Sequence, residues 1–267
     1  MLIATHSDAY DGFMTDELFR ADATLTECTA RVLAVDEAQG IVLDRTVFYP
    51  LGGGQVGDAG WLVLNDGTTI AIADTRKEKD ADGQPTGRIA HQPALDQRGQ
   101  LSKLILNGAV TARLDAPRRQ RLMRFHTASH LLCHLVGAPV NGCSITPEYA
   151  RIDFHMTEPL DKQQLTDGLA RLVADALPVV VGSITDAELD AQPELIKSMS
   201  VQPPRGSGVV RTIRIGADGG ALIDLQPCGG THVANTADIG AMAVTKIEKK
   251  SANSRRVVLG FLAQPMV

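Results

Sequence analysis

Two pairs of metal-type side chains, each spaced by four residues, constrain this chain most: His126 with His130, and Cys228 with His232. On a helix, a spacing of four puts two side chains on one face with Cβ atoms about 5–6 Å apart. A single Zn²⁺ can bridge that separation. Leu122, Phe125, Ala128, Leu132 and Leu135 recur at three and four residues around the histidines, so this stretch reads as an amphipathic helix. Asp115 can cap its start, Pro117 is tolerated in its first turn, and Gly137 can end it in the left-handed conformation. His134 continues the series, which makes His130/His134 a competing pair, and Cys133 lies beside it. The second pair sits in Cys228-Gly-Gly-Thr-His232, where two glycines argue for a tight turn and a close backbone approach. Each pair lacks two ligands without the other. The fold must therefore carry both segments, about a hundred residues apart, to one place.

Composition narrows the class of protein that can do so. At 267 residues the chain is one large domain or two ordinary ones. With 44% hydrophobic and 21% charged residues it is an ordinary globular chain, not a disordered or coiled-coil one. No apolar run reaches the ~20 residues of a membrane-spanning helix. Residues 1–9 have no basic flank before an apolar core, so they do not read as a secretory signal, and a cytosolic protein is expected. Cysteines at 28, 133, 143 and 228 are too few and too irregular for a disulfide framework. A cytosolic Cys beside a His reads as metal-binding first.

Short β-branched or alternating runs at 29–36, 41–44, 46–48, 61–64, 69–74 and 87–91, with turn signals between them, predict a small barrel. The polar stretch 96–100 reads as a junction, which gives a β-barrel domain over 1–98 and an α+β domain over 99–267. In the second, an amphipathic helix is expected over 161–176 and strands over 179–185, 209–215 and 221–225. Residues 241–248 and 255–262 are expected to pair as a hairpin across 249–254.

The formal charge is 26 − 31 = −5, yet bases cluster. Lys103, Arg113, Arg118, Arg119, Arg121 and Arg124 stand against Asp115 alone, and Lys246, Lys249, Lys250, Arg255 and Arg256 stand against Glu248. Two basic clusters on an acidic protein point to an anionic partner. The helix lacks the Glu of the H-E-x-x-H metalloprotease pattern, with Thr127 in its place. A hydrolytic site here would draw its base from a metal-bound water, a nearby carboxylate or the substrate. A hydroxyl at 127 suits recognition of a small polar group. In the expected barrel, Tyr49-Pro-Leu-Gly-Gly-Gly-Gln55 has neither the ending nor the spacing of a phosphate loop. Its glycines suggest close backbone approach, with Gln55 the only long polar side chain in the run.

Taken together, His126-Thr-Ala-Ser-His130, Cys228-Gly-Gly-Thr-His232 and Phe48-Tyr-Pro-Leu-Gly-Gly-Gly-Gln55 resemble the editing domain of alanyl-tRNA synthetases. They resemble even more its free-standing relatives, the AlaX-type alanyl-tRNA editing proteins, in the longer form that keeps the glycine-rich barrel. The resemblance runs from about Thr15 onward and includes Arg124-Phe-His, Arg151-Ile-Asp-Phe154, Asp224-Leu-Gln-Pro-Cys228 and Thr236-Ala-Asp-Ile-Gly240. Met14-Thr-Asp-Glu-Leu-Phe19 resembles the usual family beginning, so residues 1–13 read as an extension or a mis-assigned start.

The resemblance implies a translation-factor-like barrel joined to the α+β editing domain shared with threonyl-tRNA synthetase. It implies a trans-editing hydrolase that deacylates Ser-tRNA(Ala) and Gly-tRNA(Ala), with the acceptor end of tRNA(Ala) as partner, no membrane and no ATP site. One Zn²⁺ maps onto His126, His130, Cys228 and His232, which chooses between the competing helical pairs. Thr127, Gln55, Gly52, Gly53 and Gly54 map onto substrate-binding positions. A zinc-bound water is the expected reactive group, with Asp153 a candidate carboxylate near it. Arg118, Arg119, Arg121, Lys249, Lys250, Arg255 and Arg256 are the candidate tRNA-binding residues. The alternatives are an editing hydrolase of other amino-acid specificity and a non-catalytic, zinc-stabilised tRNA-binding module.

Overall fold

The computed structural model describes residues 14–203, 208–217 and 219–262. The segment 1–13, read above as an extension, lies outside them. The chain forms two compact units, one of residues 1–52 and 56–119, the other of Gly53–Gln55 and Gln120–Val267.

In the first unit six strands close into a barrel. They are β1 (Glu27–Asp36), β2 (Gly40–Leu43), β3 (Gly60–Leu64), β4 (Thr69–Lys79), β5 (Pro85–Pro93) and β6 (Ala109–Leu114). The order around the barrel is β1-β2-β5-β4-β3-β6, and β6 returns to β1 with Glu27 opposite Arg113. Alternation decides what fills it: Val32, Ile41, Leu43, Leu62, Ile70, Val110, Ala112 and Leu114 form one buried cluster. The expected boundary near residue 98 is corrected. The polar stretch there is a 3-10 helix, Leu95–Lys103, and the strand after it completes the barrel. The run expected at 46–48 is also corrected. Only Arg45–Thr46 pairs, with Asp16–Glu17.

The second unit is mixed α and β. Helix α1 (Ala116–Val136) has its first turn in the first unit and the rest in the second, and it ends where Gly137 takes φ 67°, as the sequence predicts. Leu122, Phe125, Ala128, Leu131 and Leu132 are fully buried along it. Strands β7 (Val140–Ile145) and β8 (Ala150–His155) follow, neither of them read from periodicity. Then come α2 (Lys162–Ala174), β9 (Val179–Thr185), α3 (Asp186–Ala191), β10 (Val209–Ile215) and β11 (Asp224–Pro227). The expected strand at 221–225 thus begins three residues later. The hairpin is β12 (Met242–Ser251) and β13 (Ser254–Phe261), longer than expected, so its turn shortens to Ala252 and Asn253. Two sheets result, β12-β13-β8-β7 and β9-β10-β11. Asp161 caps α2 by accepting from the Gln164 N–H, and α2 packs on β12. None of the helices among the described residues is long and apolar enough to cross a membrane.

Candidate metal centre

Helix α1 presents His126 and His130 one turn apart, and the loop after β11 carries Cys228 and His232 back to them. One ligand atom from each of the four lies within 4.8 Å of every other. The Cys228 Sγ is 3.4 Å from His126 Nε2 and 3.3 Å from His232 Nε2. Tetrahedral zinc at about 2.0–2.1 Å from nitrogen and 2.3 Å from sulfur needs ligand–ligand edges of about 3.3–3.6 Å. The donor set therefore fits. His134 is exposed and Cys133 is buried, and neither belongs to the cluster.

What holds the rings is as informative as the rings. Each histidine of the cluster bonds through Nδ1 to a buried partner: His126 to Gln55 Oε1 at 2.7 Å, His130 to Asp224 Oδ2 at 2.8 Å, His232 to Thr127 Oγ1 at 3.1 Å. With every Nδ1 engaged, the Nε2 lone pairs are the ones left to meet a metal.

The glycines serve this packing. Gly54 takes φ 86°, and a Cβ there would stand 2.8 Å from the Cys143 carbonyl oxygen. Its own carbonyl accepts from the Ile145 N–H at 2.7 Å, so the Gly53–Gln55 segment lies on β7. Gly230 has no room for a side chain, because a Cβ would fall on the His126 ring. Arg211 holds the same loop from outside, donating to the carbonyls of Cys228 at 2.5 Å and Gly230 at 3.1 Å.

Burial and mutual charge set the electrostatics. Burial alone would raise the Cys228 thiol, but the facing His126 and His232 bring it well below its usual value, towards the thiolate a metal requires. Burial and the His126 charge push His232 down to about 3, so it is a neutral donor. For His130 burial acts downward, yet Asp224 and the Cys228 sulfur outweigh it and lift the ring to about 9. Asp224 is the mirror image: burial acts upward, while His130 and Lys197 bring it to about 2.

The other candidate site residues lie around the cluster or apart from it. Thr127 is fully buried; its hydroxyl faces His232 and accepts from the Val233 N–H at 3.2 Å. Gln55 is also fully buried; besides His126 it meets Thr231, donating to Oγ1 at 2.9 Å and accepting from N–H at 3.3 Å. Each packs against a histidine of the cluster or the loop that carries Cys228 and His232. Gly52 lies in the first unit, where its carbonyl accepts from the Tyr49 hydroxyl at 2.8 Å. Asp153 has both oxygens bonded by Arg256 at 2.7 Å, which holds it below the usual carboxylate range. A carboxylate so engaged is a poor proton acceptor.

Among the candidate tRNA-binding residues, Arg119 is buried against Asp58 and donates to the Val47 carbonyl at 2.6 Å. Arg255 is buried among carbonyls of residues 157–158 and 251–254. Both guanidinium groups are turned inward, Arg119 onto a carboxylate and carbonyls and Arg255 onto carbonyls. Arg118 donates to the Gly57 carbonyl at 2.7 Å and is half-buried. Arg121, Lys249 and Lys250 are exposed. Sequence reasoning missed Asp224, Lys197 and Arg211. Asp224 was visible as part of a motif but carried no sign of the histidine it meets.

Residues 210–258 match the family described as the threonyl and alanyl tRNA synthetase second additional domain. Residues 6–89 match class II (A) tRNA synthetases. The chain is 32% identical over 248 residues to the alanyl-tRNA editing protein AlaX-M of Saccharolobus solfataricus, covering 91% of this chain and 98% of that one. It is 31% identical to the AlaX-M protein of Methanosarcina barkeri, with the same coverage. Against the alanine–tRNA ligase of Metallosphaera sedula it is 35% identical over 218 residues, 78% of this chain but 22% of the ligase.

Proposed function

Because the chain belongs to the AlaX-M alanyl-tRNA editing proteins, we propose that it hydrolyses the aminoacyl ester of Ser-tRNA(Ala) and Gly-tRNA(Ala), with one zinc ion at His126, His130, Cys228 and His232. The barrel is proposed to be of the translation-factor type. The observation that carries the zinc reading is the convergence of three Nε2 atoms and one thiol sulfur, each ring held from behind at Nδ1. A zinc ion there would supply Lewis acidity towards an ester carbonyl.

The chain's own residues supply the rest. Cys228 is the only partly exposed member of the four, so substrate approaches from its side. Thr127 orients His232, and Gln55 ties His126 to the Cys228–His232 loop. Pockets separate small side chains poorly by size alone, so a hydrolase that removes serine and glycine after mischarging supplies a selectivity that binding cannot. Exposed Arg121, Lys249 and Lys250 suit a phosphodiester backbone, which binds by charge and shape.

The test is parallel deacylation of Ser-, Gly- and Ala-tRNA(Ala), with zinc measured in the purified protein. Rapid loss of serine and glycine with intact Ala-tRNA(Ala) is the expected result. Binding of tRNA without turnover of any ester would make the chain a non-catalytic module instead. Turnover confined to other esters would move it to a different specificity.

A further inference from the structure

Of the three groups that hold the ligating histidines from behind, one amide, one hydroxyl and one carboxylate, only Asp224 carries a charge. Its side chain is wholly buried. Oδ2 accepts from His130 Nδ1 at 2.8 Å and from Gln226 Nε2 at 2.9 Å, and Oδ1 is bonded by the Lys197 ammonium. Lys197 reaches it from an irregular segment pinned to the start of β7. The Val140 N–H donates to the Lys197 carbonyl at 2.8 Å, and the Met199 N–H donates to the Val140 carbonyl at 2.8 Å. Gln226, two residues before Cys228, completes the ring of donors.

This arrangement has a specific chemical effect. A carboxylate at Nδ1 fixes the proton there, turns the Nε2 lone pair towards the cluster and makes the ring a stronger donor than a neutral acceptor would. Such a carboxylate is costly to bury unless a cation and further hydrogen bonds satisfy it. Lys197 and Gln226 meet that requirement, and Lys197 remains partly exposed, so the compensation is supplied from the rim of the site.

We propose that Asp224 is the positioning residue that sets how tightly the four ligands hold their metal, and that Lys197 acts through Asp224 as its counter-ion. This rests on reading the cluster as a zinc centre. Gln55 and Thr127 orient their rings by neutral bonds and contribute less to affinity. Neither Asp224 nor Lys197 is a ligand, so the donor set itself is unchanged when they are replaced.

The experiment is zinc affinity of the full chain, by competition with a chromophoric chelator at fixed pH, for wild type, Asp224→Asn, Lys197→Met and the double variant. Asp224→Asn is expected to weaken zinc by about 10- to 100-fold, the range typical of such partners. Lys197→Met should weaken it by at least about 3-fold. The double variant should match Asp224→Asn alone, because a residue acting through another adds nothing once that one is gone. Cobalt-substituted Asp224→Asn should keep the thiolate-to-cobalt absorption of the wild type, which separates a weakened site from a missing ligand. Zinc affinity within about 3-fold of wild type for Asp224→Asn overturns the proposal, as does an additive double variant. If Asp224→Asn does not fold, Lys197→Met decides alone, unchanged affinity overturning the assignment. A wild type that takes up no zinc overturns the metal reading as well, whereas a zinc-binding wild type with indifferent variants overturns only this assignment.

Discussion

His91 sits inside the barrel where water does not reach. Its Nδ1–H donates to the Ile41 carbonyl at 2.9 Å, its Nε2 accepts from the Thr46 hydroxyl at 2.8 Å, and Phe48 meets the ring edge-on. The neutral ring meets both partners without burying a charge, and burial lowers its pKa to about 4. The unfolded chain takes up this proton near pH 6.5 and the folded one only near 4, so stability falls as pH drops through that window and levels off below it. The loss amounts to about 3 kcal/mol at full extent. Thermal melting of wild type and His91→Asn between pH 7 and 4 should show the dependence shrinking in the variant; equal slopes would count against it. The ligands make a second prediction at this scale. Cys228→Ala should lose about one zinc per chain and all deacylation, while exposed His134 can become Ala without either loss. Metal analysis of both variants checks which helical pair binds.

The element that most changes meaning between sequence and structure is the start of α1. Asp115 caps it by accepting from the Arg118 N–H at 3.0 Å, as the sequence predicts. Arg119, one turn in, has the sequence context of a basic face. It is instead the bolt of the barrel unit, paired with Asp58 and bonded to the carbonyls of Ala23 and Val47. Arg119→Gln is therefore expected to destabilise the fold by about 3–5 kcal/mol, as removal of one partner of a buried pair does, with the salt dependence of tRNA binding unchanged. Denaturant unfolding alongside a tRNA titration separates the two. Helix α1 was legible because its cap, apolar period and terminal glycine agree with one another. Strands β7 and β8 were not, although Ile152 and Phe154 alternate with Arg151 and Asp153 as a half-buried strand should. They are six residues each, and Gly142 within β7 and Pro147 after it are residue types that favour turns. The junction near residue 98 misleads for a similar reason: polar composition marks exposure, and a 3-10 helix within a domain is exposed too.

At the scale of the whole molecule, the four-ligand set was legible because spacing and residue type carry it. The support behind it was not. Asp224 and His130 are 94 residues apart, Gln55 and His126 are 71 apart, and no local pattern links such pairs. Among the candidates for tRNA, Arg119 and Arg255 are buried, while Arg121, Lys249 and Lys250 are exposed. Neutralising these three should weaken tRNA binding and flatten its salt dependence. The slope of log K against log salt should become shallower by about 0.7–0.9 for each phosphate no longer neutralised. Hydrolysis of bound ester should change little. An unchanged slope would place the tRNA surface on other residues.

The spacing of the ligands along the chain also has a consequence for how the protein is made. His126 and His130 leave the ribosome about a hundred residues ahead of Cys228 and His232, and two imidazoles alone make only half a site. Capture of the proposed zinc ion would therefore be a late event in synthesis. The barrel unit ends at Arg119, soon after its last strand, so it can close while the second unit is still emerging. On the proposed zinc reading, a cell short of zinc would accumulate chains that are finished at one end and waiting at the other.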